Sequence, residues 1–158
     1  DEANIELREL ITYFRLPVDA SGVVSAIEKA VSRFRLTSPI DAVLQNHWPA
    51  VNLPVEHERQ VLRIVQEGLA NVRKHSGADM VRILLNQAHD ARRVLIEDDG
   101  VGMSLASAEM DNHFGLSIMQ ERAGSIGATL QLESEPGDGT RIILTLPIMQ
   151  DNALGDSV

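Results

Sequence analysis

An α+β fold is predicted for this sequence of 158 residues, a two-layer sandwich in which a mixed, mainly antiparallel sheet carries its helices on one face. Three observations predict it. Segments of helical and of strand periodicity alternate in the order helix, helix, strand, helix, strand, strand, long irregular stretch, helix, strand, strand. The last four strands fall into two pairs, each joined by a short run of turn-forming residues, as antiparallel hairpins are. The length fits one domain with a single two-layer core and an accessory helix.

Residues 5–16 place Leu7, Leu10, Ile11 and Phe14 on one helical face, and Pro17 stops that helix. The pattern starts abruptly, as the last turns of a longer helix would, although an ordinary first helix reads the same way. A second helix follows from Asp19 or Ser21, either of which can cap it, with Val23, Ile27, Ala30, Val31 and Phe34 on its buried side. Residues 41–48 are a weak strand, and 49–54 a connector bounded by prolines. Residues 61–76 form the longest helix, and the strands 80–86 and 92–98 pair across a turn at His89 and Asp90. Residues 99–115 are too long and too rich in glycine and serine for a routine connection, so 103–113 is read as a lid. A helix resumes near Phe114 with Leu116, Met119, Ala123 and Ile126 at helical spacing, and Gly127 caps it. Strands 128–134 and 140–147 close around Pro136-Gly137-Asp138-Gly139, and 148–158 reads as a frayed polar tail.

Composition excludes several functions. The chain has no cysteine, which removes disulfide frameworks, thiolate zinc sites and cysteine nucleophiles and fits a reducing compartment. A net charge of −9 opposes non-specific binding to nucleic acid or to an anionic membrane. No apolar run reaches the length of about 18 residues that spans a bilayer. A phosphate ligand would therefore need a metal ion or local backbone donors.

The chemistry starts on the long helix. Val61, Leu62, Ile64, Val65, Leu69 and Val72 form a broad apolar arc, and Glu67, Asn71 and His75 follow at i, i+4 spacing along its border. An amphipathic helix with a polar flank gives the same pattern, so this segment alone decides nothing. Asp98-Asp99-Gly100-Val101-Gly102 is a second signal: a strand ends in a carboxylate and turns through glycines that let a ligand approach the backbone. Phe114-Gly115-Leu116 opening a helix is a third, because free N–H groups there suit phosphate oxygens. Each alone is an ordinary turn, acidic pair or helix start.

Their order is more specific: Glu-x3-Asn-x2-Lys-His on a helix, Asp-x-Gly-x-Gly after a strand, a lid with Gly-Leu, then Gly-x-Gly-Thr before a final strand. In this the sequence resembles the ATP-binding catalytic domain of sensor histidine kinases, within the Bergerat (GHKL) group that also holds the Hsp90, gyrase and MutL ATPases. The wording EGLANVRKHSGA, EDDGVGM, HFGLSIMQERA and GDGTRI resembles the subfamily with HisKA_3-type dimerisation helices, and residues 1–16 the nitrate/nitrite-sensor branch. The resemblance covers residues 5–147. It implies ATP and Mg²⁺ as ligands, with Asn71 holding the metal and Glu67 positioning or accepting a proton. It implies Lys74 and His75 at the phosphate-facing end, Asp98 accepting from the adenine amino group, and Gly100 with Gly102 as the first glycine box. Gly115 and Leu116 stand beside the triphosphate, Gly139 and Thr140 support Asp98, and His113 takes a place where many relatives have glycine. Asp99 replaces the commoner asparagine, adding negative charge near the nucleotide.

The same resemblance implies a phosphoacceptor histidine on a dimerisation helix, and none of the chain's five histidines stands in such a setting. The expectation is a cytoplasmic, monomeric fragment with little activity of its own. Residues 1–16 would be the remnant of a dimerisation helix, 17–147 the ATP-binding domain and 148–158 the tail. Its partners would be the phosphoacceptor helices of a homodimeric, membrane-anchored bacterial kinase and, indirectly, a response regulator. Two other readings differ in class. A free-standing anti-sigma-type serine kinase would have no use for residues 1–16, and a degenerate interaction module would bind no nucleotide.

Overall fold

The computed structural model describes residues 22–102 and 115–148. The expected helix at 5–16, the candidate caps Asp19 and Ser21, the lid with His113, Phe114, and the tail beyond Ile148 lie outside the described residues. Within them the order is α1 (Gly22–Thr37), β1 (Asp41–Asn46), α2 (Val55–Asn71) continued by a π-turn (Val72–Ser76), β2 (Met80–Ala88), β3 (Ala91–Asp98), α3 (Leu116–Ser125), β4 (Thr129–Ser134) and β5 (Thr140–Pro147). Among the described residues the strands form one sheet in the order β1-β2-β3-β5-β4. β1 runs parallel to β2 and the remaining pairs are antiparallel. A parallel pair needs a long crossover, and α2 with its π-turn supplies it.

Alternation along the strands gives the sheet two different faces. One face carries the cross-strand rows Leu85, Val94, Leu144, Leu130 and Ile83, Ile96, Ile142, Leu132, which pack with Val23, Ile27, Val31, Val61, Ile64, Val65 and Met119 of the helices into one core. The other face carries charges: Glu97 bonds both Arg82 and Arg141, and Arg141 also reaches Glu133. The third row of the helix-facing side is Val81, Asp98, Thr140, Ser134. Apolar packing therefore gives way to polar groups at one end of the layer.

Three details differ from expectation. α2 starts at Val55, directly after Pro54, six residues ahead of the apolar arc, with Glu56 and Glu58 in its first turn where the helix dipole favours them. Glu58 is buried and accepts the N–H of Val23 at the start of α1; burial pushes its carboxyl above the usual carboxylate range, and that hydrogen bond opposes the rise. β1 stops at Asn46, because Trp48 turns inward and its ring nitrogen donates to the Asn86 carbonyl at 2.8 Å. The third difference is the π-turn. The Ser76 hydroxyl donates to the Val72 carbonyl at 2.6 Å, competing for a backbone acceptor that an α-helix would use, and the hydroxyl accepts the Ala78 N–H at 3.0 Å.

Gly68 sets how closely α2 lies on the sheet, since a Cβ there would stand 2.6 Å from the Ile96 Cδ1, which is itself buried. Gly68→Ala is expected to lose about 1–2 kcal/mol, overpacking outweighing the better helix propensity of alanine. Urea unfolding followed by the fluorescence of Trp48, the chain's sole tryptophan, measures it.

Candidate functional site

The polar end of the layer is assembled from four segments. Asp98 closes β3 facing the helices, and its Oδ1 accepts the Gly100 N–H at 2.9 Å while the Thr140 N–H also bonds its carboxylate. Burial is the largest influence on this carboxyl and lifts it above the usual carboxylate range; the two backbone donors hold it down, and neighbouring Asp99 adds a smaller upward push. Asp98 is thus a partly buried carboxylate held by two backbone donors, and its two oxygens have acceptor capacity beyond them.

The loop after Asp98 is tied to the π-turn and to the β4–β5 turn. The Val101 N–H donates to the Ser76 carbonyl at 2.9 Å, and the Gly137 N–H donates to the Val101 carbonyl at 2.6 Å. These contacts leave no room for side chains. A Cβ at Gly100 would overlap the Ser76 carbonyl, one at Gly102 the Glu135 carbonyl, and one at Gly139 the Asp98 carbonyl; Gly102 (φ 66°) and Gly139 (φ 75°) are also left-handed. The glycines are thus required by close backbone approach at the foot of the site.

On the helix side Asn71 is buried at the last α-helical residue, one turn beyond Glu67. Glu67 reaches the start of α3: its Oε1 lies 3.2 Å from where a Cβ on Gly115 would stand, and Gly115 is left-handed (φ 55°). Leu116 packs on the core, so its contribution is to seat the helix start. Lys74 and His75 are exposed in the π-turn, past the point where α-helical spacing with Asn71 holds. The structure thus joins Glu67 to Gly115, Ser76 to Gly100 and Val101, and Asp98 to Gly100, Gly139 and Thr140. His113 lies outside the described residues. Asp99 is exposed, and its Oδ1 accepts the N–H groups of Asp79 and Met80 at 2.9 and 3.0 Å, so its charge serves the start of β2.

Sequence reasoning missed Ser76 and Ser134. Ser134 stands opposite Thr140 and its hydroxyl lies 3.0 Å from that of Thr140. Counting the pairing back from the β4–β5 turn would have found it.

The donor set limits what metal fits. Among the described residues no group of three or more His, Asp or Glu side chains could hold an ion. One buried amide and a nearby carboxylate suit Mg²⁺, which keeps several waters and takes its other ligands from phosphate. They do not make a resident all-protein cage.

Residues 56–150 match the family described as histidine kinase-, DNA gyrase B-, and HSP90-like ATPase. The nitrate/nitrite sensor protein NarQ of Escherichia coli is 30% identical over 146 residues, which are 92% of this chain and 26% of NarQ. The sensor histidine kinase LiaS of Bacillus subtilis is 31% identical over 151 residues, 95% of this chain and 41% of LiaS. The chain therefore spans between a quarter and two fifths of these relatives. Among solved structures, the histidine kinase domain of a blue-light-activated histidine kinase from Erythrobacter litoralis shares the fold, with TM-score 0.70, 23% identity, and coverage of 85% of this chain and 65% of that one.

Proposed function

Because the chain belongs to the histidine kinase-, DNA gyrase B- and HSP90-like ATPase family, we propose that it is the Mg·ATP-binding catalytic domain of a two-component sensor histidine kinase, donating the γ-phosphoryl of ATP to a histidine on dimerisation helices. The observation that carries this reading is that the family match spans Glu67, Asn71, Asp98, Gly100, Gly102, Gly115, Gly139 and Thr140 together.

In this reading Asp98 accepts from the adenine amino group, and a keto base is rejected because two acceptors would face each other. The Gly100–Gly102 backbone passes close to the sugar and base. The free N–H groups at the Gly115–Leu116 helix start receive phosphate oxygens. The Asn71 amide oxygen is the protein's ligand to Mg²⁺, which, when bound, neutralises phosphate charge during transfer. Glu67 orients the approaching imidazole or takes its proton. Lys74 supplies positive charge at the phosphate-facing end of the π-turn that follows α2, with His75 beside it, and His113 precedes Gly115 by two residues in sequence. The protein's contribution is positioning and charge, which is what phosphoryl transfer requires.

Residues 1–16 are then the end of a dimerisation helix, 17–147 the ATP-binding domain and 148–158 a tail. The partners are the phosphoacceptor helices of a homodimeric parent and, through them, a response regulator, with the domain on the cytoplasmic side. Among the described residues no helix is long and apolar enough to cross a membrane.

The test is calorimetric titration with ATP, ADP and GTP, with and without Mg²⁺, on the chain and on Asn71→Ala. Mg²⁺-dependent binding of ATP over GTP is expected. Asn71→Ala should abolish most of the Mg²⁺ enhancement while leaving the preference for adenine. Equal binding of GTP, or an unchanged Mg²⁺ effect in Asn71→Ala, would contradict the proposal.

A further inference from the structure

Resting on the adenine-binding reading of Asp98, we infer that Ser134 is a positioning residue for base selection, acting by fixing the direction in which the Thr140 hydroxyl points its proton. Ser134, Thr140 and Asp98 are successive cross-strand partners on the helix-facing side of β4, β5 and β3. The Ser134 hydroxyl donates to the Gly139 carbonyl at 2.9 Å. A carbonyl only accepts and a hydroxyl has one proton, so in the 3.0 Å contact between the two hydroxyls Thr140 must be the donor. The Thr140 proton is thereby directed toward Ser134, and only lone pairs remain for anything approaching from the other side.

The carboxylate of Asp98 is acceptor-only as well, its backbone donors being Gly100 and Thr140. The row therefore presents acceptors alone, and a ligand edge must bring hydrogens to it. A hydroxyl without Ser134 behind it could rotate, and would accept from an amine or donate to a keto oxygen equally well. Ser134 converts that adaptable group into a one-way acceptor. It adds to the rejection of a keto base without touching the base.

Affinities for Mg·ATP and Mg·ITP, in which a keto oxygen replaces the exocyclic amine, test this on the unaltered chain, Ser134→Ala and Ser134→Thr. In Ser134→Ala the ratio of ATP to ITP affinity should fall about five- to tenfold, the value of one neutral hydrogen bond, with ITP binding more tightly than before. Ser134→Thr keeps the hydroxyl and should keep the ratio. If Ser134→Ala weakens both nucleotides equally, or changes neither, Ser134 serves only the β4–β5 turn and the inference is overturned. Absence of ATP binding by the unaltered chain would instead overturn the nucleotide reading, and this inference with it.

Discussion

Asp98→Asn is expected to lower ATP affinity by about 10- to 150-fold and to erase most of the preference over GTP, since a hydrogen bond to a charged acceptor contributes about 1.5–3 kcal/mol. Asparagine retains one carbonyl oxygen, which can still accept the Gly100 N–H, so the loop should hold its shape. The empty protein should respond in the opposite sense. The Asp98 carboxyl titrates above its ordinary range because it is partly buried, so the folded chain binds more protons than the unfolded chain in the interval above pH 3.8. In that interval the stability supplied by this group declines as pH rises, and at neutral pH the ionised side chain is an electrostatic burden that asparagine lacks. Thermal unfolding without nucleotide should therefore favour Asp98→Asn at pH 7 relative to pH 4. For the unaltered chain, ATP affinity should fall as pH drops through the raised Asp98 value, because protonation removes the charge that strengthens the hydrogen bond from the amine. A variant equally poor in binding and in stability would point to a structural carboxylate instead.

Gly139→Ala should have the larger effect on folding. Its Cβ would overlap the Asp98 carbonyl, and its backbone is left-handed, so overpacking and an unfavourable φ combine to about 3 kcal/mol. Because the atom struck is backbone at the foot of the site, no side chain can swing aside, and Asp98 itself must shift. Gly137→Ala is the control. It has a similar φ of 87° with nothing near its Cβ, and should lose only about 1 kcal/mol. Denaturant midpoints followed by Trp48 fluorescence separate the two, and equal losses would show that the close approach at Gly139 has no energetic weight.

The two hairpins were legible because alternation and turn residues are local: Ala88↔Ala91 pairs across His89, whose φ of 53° suits a tight turn, and the second pair closes around Pro136-Gly137-Asp138-Gly139. The parallel pairing of β1 with β2 was not legible, because it joins residues separated by the whole of α2 and its stability comes from packing. The first two turns of α2 were hidden by their polar sequence, which shows no apolar arc until Val61. At the site, spacing on the helix and glycines beside Asp98 marked residues that the fold brings into contact, Glu67 with Gly115 and Gly100 with Asp98 and Ser76. Hydrogen-bond direction was invisible, however. The π-turn arises from one hydroxyl on one carbonyl, and Asp99, where the resemblance implied added charge near the nucleotide, accepts the N–H groups at the start of β2. Such arrangements depend on which of several acceptors a polar group finds once the chain is folded.

In the proposed complex one nucleotide lies across these four segments, with its base at Asp98 and its triphosphate between Asn71 and Gly115. The most direct measurement is a crystal structure of the chain with Mg²⁺ and a non-hydrolysable ATP analogue. The exocyclic amine is expected within hydrogen-bonding distance of the Asp98 carboxylate, and the Asn71 amide oxygen on the metal. A nucleotide seated elsewhere, or one whose base contacts neither Asp98 nor the Gly100–Gly102 backbone, would contradict it.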